Sequence, residues 1–224
     1  MSEMVEAVWR KHKNCTECDL SLTRRKVVFG TGNPEAKVLL VVDPPSMTQD
    51  KVGTHTTSDI KWLVQMYKKV RKLRTRLETC AEKMLSEIFI ISATMCVPVH
   101  QNGDLEGQGR KATDREIKSC RPRTLDTIYA VDPYVIITAG PAARRAVFGG
   151  RTGIDTSGTV LEYVEIPGQC GVNTLRYSVL SCHSLEIAET AGDYHYEHGK
   201  VASVQNAITK AFSLVDLLEK EDTL

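Results

Sequence analysis

The chain has no apolar run long enough to cross a bilayer, no internal repeat, no low-complexity segment and no linker-like stretch. The first absence excludes a membrane-spanning helix. The others leave one domain, 1–224, as the expectation for 224 residues, a length that can bury a full core without metal or disulfides in its place. Net charge is scarce too, 29 Lys and Arg against 28 Asp and Glu leaving +1. Bulk charge therefore gives no attraction to nucleic acid, although such a partner needs only positive charge gathered on one face. No export signal opens the chain, so its seven cysteines, an odd number, point to thiol or metal chemistry rather than a disulfide framework. The expectation is a soluble, intracellular (cytoplasmic) monomer with no membrane partner.

What is present alternates between strands and helices. Residues 3–12 put Met4, Val5, Val8 and Trp9 on one helical face, ahead of a Cys-rich turn. Residues 37–42 form a continuous apolar run, as for a strand covered on both faces, and Asp43-Pro44-Pro45 ends it. Residues 58–86 carry apolar side chains at three- and four-residue steps and predict one long helix. Residues 88–91 and 133–137 predict two more buried strands. Thr113-Asp-Arg-Glu116 has capping-box form and opens a helix to about Ala130, and Gly140-Pro141 starts another. Residues 160–166 and 175–180 read as a strand pair, and Val201, Val204, Ile208, Phe212 and Val215 mark a closing helix. The prediction is an α/β fold, three layers around a central, mostly parallel four-stranded sheet. Ligands of such sheets bind beyond the carboxyl ends of the strands, where Asp43, Ser92, Gly140 and His183 would gather.

Cys15-x-x-Cys18, Cys96 and Cys120 supply a tight pair and two distant thiolates, enough to close around one metal centre. Spacing alone fits structural zinc, an iron–sulfur cluster or unrelated free thiols, since both centres accept four cysteines. Cys80, Cys170 and Cys182 fit no such set and read as ordinary buried thiols.

The C-x-x-C pair is followed by Leu20, Arg24 and Val28-Phe29-Gly30-Thr-Gly32-Asn-Pro-Glu-Ala36. Further on come Thr94-Met-Cys96-Val-Pro98, Glu116-Ile-Lys-Ser-Cys120-Arg-Pro122 and Asp132-Pro133-Tyr-Val-Ile-Ile-Thr-Ala-Gly140-Pro-Ala-Ala143. In this order the chain resembles the family-4 uracil-DNA glycosylases over most of its length. The resemblance implies a uracil-DNA glycosylase-like fold, DNA as partner and a 4Fe–4S cluster on the four cysteines, with zinc the lesser alternative. It places Asp43 on the acidic position that orients or activates the hydrolytic water, and His183 where histidine stabilises the departing base anion. Asp43 could instead merely cap the Pro-Pro turn, and His183 could be a satisfied polar residue.

The base pocket departs from the family's pattern. Pro45 and Ser46 continue the first motif, Thr56 stands where an aromatic stacks on the flipped base, and Ser92 where an asparagine reads the pyrimidine edge. Ser184 replaces a proline. Two smaller side chains cost stacking and hydrogen bonding to uracil and leave room for a bulkier base, so the expectation is removal of a C5-modified pyrimidine, hydroxymethylated or glucosylated as in phage DNA. Plain uracil, or a module that has lost catalysis, are the alternatives; repair and defence against modified foreign DNA would use the same chemistry. His55 is a candidate replacement contact, though it reads more readily as an exposed loop residue. Expected at DNA are Arg144, Arg145 and Lys111 on phosphates, with Arg110 beside Lys111, and Ile187 or Leu185 as the wedge that fills the stack. The six cations from Lys68 to Arg76 read as a solvated helix face, and residues 193–198 as a loop.

Overall fold

A computed structural model describes residues 2–56, 58–101, 107, 109–150, 157–167, 173–191 and 199–221, without the side chains of 187, 190 and 191. In chain order the elements are α1 (Glu3–His12), α2 (Leu20–Thr23), β1 (Thr31–Gly32), β2 (Val38–Val42), α3 (Met47–Val52), α4 (Lys61–Val70), α5 (Leu77–Glu87) and β3 (Ile88–Ser92). They continue with α6 (Asp114–Val131), β4 (Val135–Ala139), α7 (Pro141–Phe148), β5 (Ser157–Pro167), β6 (Thr174–Cys182), α8 (Leu185–Ala191) and α9 (Lys200–Glu221).

The strands form one sheet in the order β1-β3-β2-β4-β6-β5. Its middle, β3-β2-β4-β6, is parallel, as the unbroken apolar runs predict. The sheet is wider than the four strands expected, because antiparallel β1 and β5 extend its two edges. Thr31–Gly32 is too short to leave a hydrophobic pattern. Side chains alternate strictly between the two layers: Val38, Leu40, Ile88, Ile90, Val135 and Ile137 pack under α4, α5 and α9, whereas Leu39, Val41, Phe89, Ile91 and Ile136 pack under α1, α6 and α7. Among the described residues no helix is long and apolar enough to cross a membrane.

The single helix predicted over 58–86 is two. α4 stops at Val70, Lys72 takes a left-handed backbone (φ 51°), and the Lys68 Nζ donates to the Thr75 carbonyl at 2.6 Å before α5 begins. Six cations at helical spacing would repel across each turn. The turn disperses them, with Arg71 reaching Glu87 at 3.6 Å and stacking on the Phe212 ring. At Thr113 the capping box forms as the sequence predicts, Glu116 and Thr113 exchanging side-chain bonds to each other's backbone N–H.

Arg144, on α7, is 3% exposed and lies inside the fold. Its guanidinium takes both Glu162 carboxylate oxygens, donates to Ser181 Oγ at 2.6 Å and covers the Phe148 ring, tying α7 to β5 and β6. Arg144→Met should therefore lower the unfolding free energy by about 3 kcal/mol, the lower end for a broken buried pair because Glu162 keeps some solvent. Urea denaturation checks this, and an unchanged midpoint would show that the pair carries no stability.

Candidate active site

The parallel register decides what can meet. Val42 pairs with both Ser92 and Ala139, and Ala139 pairs with Cys182, so four strands end in one row. The residues that leave that row are Asp43, Ala93, Gly140 and His183; of the four residues expected at the carboxyl edge, Asp43, Gly140 and His183 follow the row and Ser92 is in it.

Asp43 does not cap the Pro-Pro turn. Its carboxylate turns to the start of α7, where Ala142 N–H donates to Oδ1 at 3.3 Å and Ala143 N–H also donates. The Ser184 hydroxyl gives a further hydrogen bond, so the residue that replaces the family's proline touches the acid. Gly140 is obligatory here: its φ is 101°, and an added Cβ would lie 2.4 Å from Asp43 Oδ2. Burial raises the Asp43 pKa above the ordinary carboxylate range. Its three hydrogen-bond donors oppose the shift, and Glu186 adds to it.

His183 is held from behind by α9. Ser203 Oγ donates to the Lys200 carbonyl at 2.8 Å and accepts the His183 backbone N–H at 3.2 Å. The His183 Nδ1 lies 3.0 Å from the same oxygen. A hydroxyl has one hydrogen to give, so the hydrogen of the third contact belongs to Nδ1; this assignment follows from the bonding pattern. Ser203 was not singled out from the sequence. The only signal was a small polar residue on the otherwise apolar face of Val201, Val204 and Ile208, all buried.

At the expected base-reading position, Ser92 is 2% exposed and its Oγ meets His55 Nε2 at 3.2 Å. His55 is 5% exposed, so the reading of an exposed loop histidine is corrected: β1 and Ser92 enclose it, with Thr31 Oγ1 accepting its backbone N–H. Burial first, and the Arg123 charge second, bring the His55 pKa down to about 4 against the opposing pull of Asp59. Its imidazole is neutral at physiological pH. Thr56 is half-buried, and both its N–H and its hydroxyl donate to the Asp59 carboxylate, at 2.9 and 2.6 Å. Pro45 is buried. Ser46 is exposed and serves as the N-cap of α3, in a capping box with Gln49.

Cys15, Cys18, Cys96 and Cys120 line one cavity together with Leu20, Arg24 and Met95. None is in a disulfide. Among the described residues no three His, Cys, Asp or Glu side chains gather tightly enough to hold a single metal ion. N–H donors point at the sulfurs: Leu20 N–H at Cys18, Met95 N–H at Cys120 (3.3 Å) and Arg24 Nη1 at Cys96 (3.4 Å). Such donors stabilise thiolates and fit a thiolate-ligated metal group. Burial pushes the Cys96 thiol up to about 11, with Arg24 opposing.

The expected DNA contacts divide. Arg144 is buried in its pair with Glu162 and cannot serve a phosphate, a correction that burial on α7 explains. Arg145 is half-buried, 3.3 Å from Asp114. Arg110 is committed to the Glu116 carboxylate and the Val99 carbonyl, whereas Lys111 is exposed. Leu185 packs against the core beneath α8, which supports a core role rather than a wedge. The side chain of Ile187, Cys170 and residues 193–198 lie outside the described residues.

Residues 29–195 match the profile of the family described as the Uracil DNA glycosylase superfamily. Among curated proteins, the chain is 27% identical over 141 residues to a type-4 uracil-DNA glycosylase of Thermotoga maritima, covering 63% of this chain and 64% of that protein. It is 23% identical over 146 residues to the type-4 uracil-DNA glycosylase of Archaeoglobus fulgidus (65% and 64%), and 24% identical over 147 residues to that of Sulfurisphaera tokodaii (65% and 59%). The chain thus spans less than two thirds of the length of these relatives. Because the matched stretch takes in every described strand and the edge where Asp43 and His183 emerge, the chain belongs to the Uracil DNA glycosylase superfamily.

Proposed function

We propose that the chain is a DNA glycosylase that hydrolyses the N-glycosidic bond of a flipped-out pyrimidine and leaves an abasic site. The observation that carries this reading is the common row from which Asp43 and His183 emerge, at the ends of β2 and β6 with only β4 between them in the parallel sheet. Bond cleavage builds positive charge on the sugar and negative charge on the departing base. Asp43 holds the water and faces the developing sugar cation. In this reading His183 meets the departing base as the imidazolium: Nδ1–H is given to Ser203, so the hydrogen that faces the anion is the one on Nε2.

The preferred substrate in this reading is a C5-modified pyrimidine, hydroxymethylated or glucosylated, rather than plain uracil. Thr56 supports it by its small size and by turning its hydroxyl to Asp59, so that no aromatic face meets the base. Two observations favour other readings. His55 beside Ser92 restores a polar edge that could read uracil, and the relatives are named uracil-DNA glycosylases. The three hydrogen bonds on Asp43 suit a helix cap in a module without catalysis. An abasic-site assay across uracil-containing, hydroxymethylated and glucosylated DNA separates the three: product from modified DNA alone supports the first, product from uracil the second, and no product the third.

The four cysteines hold a 4Fe–4S cluster in this reading, with zinc the alternative. When bound, the cluster ties the segment after α1 to the segments that carry Cys96 and Cys120. The N–H donors aimed at the sulfurs support it.

Anaerobically purified protein should be brown and contain iron, and chelation should lower its Tm; colourless protein carrying zinc would contradict the cluster. Asp43→Asn and His183→Ala should each remove abasic product while the fold is kept. The sign of the stability change is distinctive. A buried carboxyl with a raised pKa stabilises the fold when neutral and loses that contribution as pH rises through its folded pKa. Asp43→Asn should consequently have a Tm at pH 7 no lower than the parent chain; a clear drop would mean that the charge itself holds α7. The same shift moves the acid limb of kcat above the range of an ordinary aspartate, as a pH–rate profile would reveal.

A further inference from the structure

Arg123 belongs to neither set of residues described so far, yet it touches both. It lies one turn beyond Cys120 on α6 and is 5% exposed. One guanidinium nitrogen, Nη2, donates to the Ser92 carbonyl and also lies 3.9 Å from Cys120 Sγ. Its Nε–H is buried with no hydrogen-bond partner. Among the described ion pairs none includes Arg123. A buried cation without a carboxylate is costly unless other negative charge compensates it. Nη2 lies against Cys120 Sγ, and with a cluster bound the four cysteines would be thiolates around an iron–sulfur core, a centre that is net negative.

Arg24 makes a useful contrast. It donates to Cys96 Sγ at 3.4 Å, and among the described hydrogen bonds none joins it to Ser92 or His55. Both arginines serve the sulfurs, but Arg123 alone also bears on the pocket: Ser92 through its carbonyl, and His55 through the field of the guanidinium.

We propose that Arg123 is a positioning residue that supplies counter-charge to the four-cysteine centre and couples it to the base pocket, so that the state of the centre is felt at Ser92 and His55. This rests on the cluster reading above and deepens the glycosylase reading by naming what sets the base-reading edge. With the cluster in place, its negative charge offsets the guanidinium. Once the cluster is lost, the pocket faces a bare buried cation. The charged groups bearing on His55 are Asp59, which favours its protonated form, and Arg123, which opposes it.

The test uses cluster-loaded full-length protein and two readouts that require no turnover. The first is the rate at which a chelator bleaches the visible absorption. The second is the titration of His55, followed by NMR of imidazole-labelled protein and assigned with His55→Gln. Arg123→Met should bleach about tenfold faster, the usual scale for losing an outer partner of a metal ligand, and should move the His55 titration to higher pH. Arg24→Met should bleach faster and leave His55 where it is. Bleached parent protein should titrate His55 at lower pH than loaded protein. Arg123→Lys keeps the charge and serves if the Met variant does not fold; it should hold His55 close to the parent value while bleaching faster through loss of the fork.

Bleaching and His55 titration both unchanged in Arg123→Met overturn the proposal. So does a His55 titration indifferent to loss of the cluster. Parent protein that never contains iron overturns the cluster reading and this one together. Abasic-site production has no part in either readout, so a catalytically silent but cluster-bearing chain would refute the glycosylase reading and leave the coupling standing.

Discussion

The in-register ending of four parallel strands is the constraint on which the rest depends. Parallel hydrogen bonding aligns Val42, Ser92, Ala139 and Cys182, and the next residue of each strand must then leave the sheet at the same edge. A one-residue slip of β2 would exchange the two buried faces of Val38 to Val41 and withdraw Asp43 from that edge. Both faces are apolar and covered, so the burial that holds the sheet together also fixes the spacing of the site.

Polar groups around that edge are arranged at a cost to stability. Asp43 is half-buried against the start of α7, where the missing side chain of Gly140 leaves room for it. His183 is locked by a serine from a helix more than a dozen residues away in sequence. His55 is kept neutral by its burial, with Arg123 adding to the effect and Asp59 opposing it. Groups held against their ordinary preferences, in one place, characterise a reaction site more than a structural joint.

Much of this was legible in sequence because it depends on local rules. Unbroken apolar runs marked the parallel strands, Thr113 to Glu116 marked a cap, and strand ends placed Asp43 and His183 at the carboxyl edge, their roles being what the family resemblance implies. What could not be read depends on tertiary partners. Nothing near Arg144 in sequence announces Glu162, so a basic residue near a helix start read as a phosphate contact. His55 sits among Gly53, Thr54 and Thr56, a composition typical of an exposed loop, and its burial comes from β1 and Ser92. The break at Lys72 was hidden because apolar spacing runs through it while charge repulsion and the Phe212 ring decide it. Ser203 and Arg123 act on residues far away in the chain and left no motif of their own.

The central claim is that Asp43 and His183 act on one nucleotide from opposite sides. A crystal structure of the chain bound to DNA carrying a non-cleavable modified nucleotide tests it most directly. The account predicts a flipped nucleotide whose glycosidic bond lies between the Asp43 carboxylate and the His183 ring, with Ser203 still holding Nδ1. A duplex bound with its bases stacked, or a flipped base seated away from the row that ends at Val42 and Cys182, would contradict it.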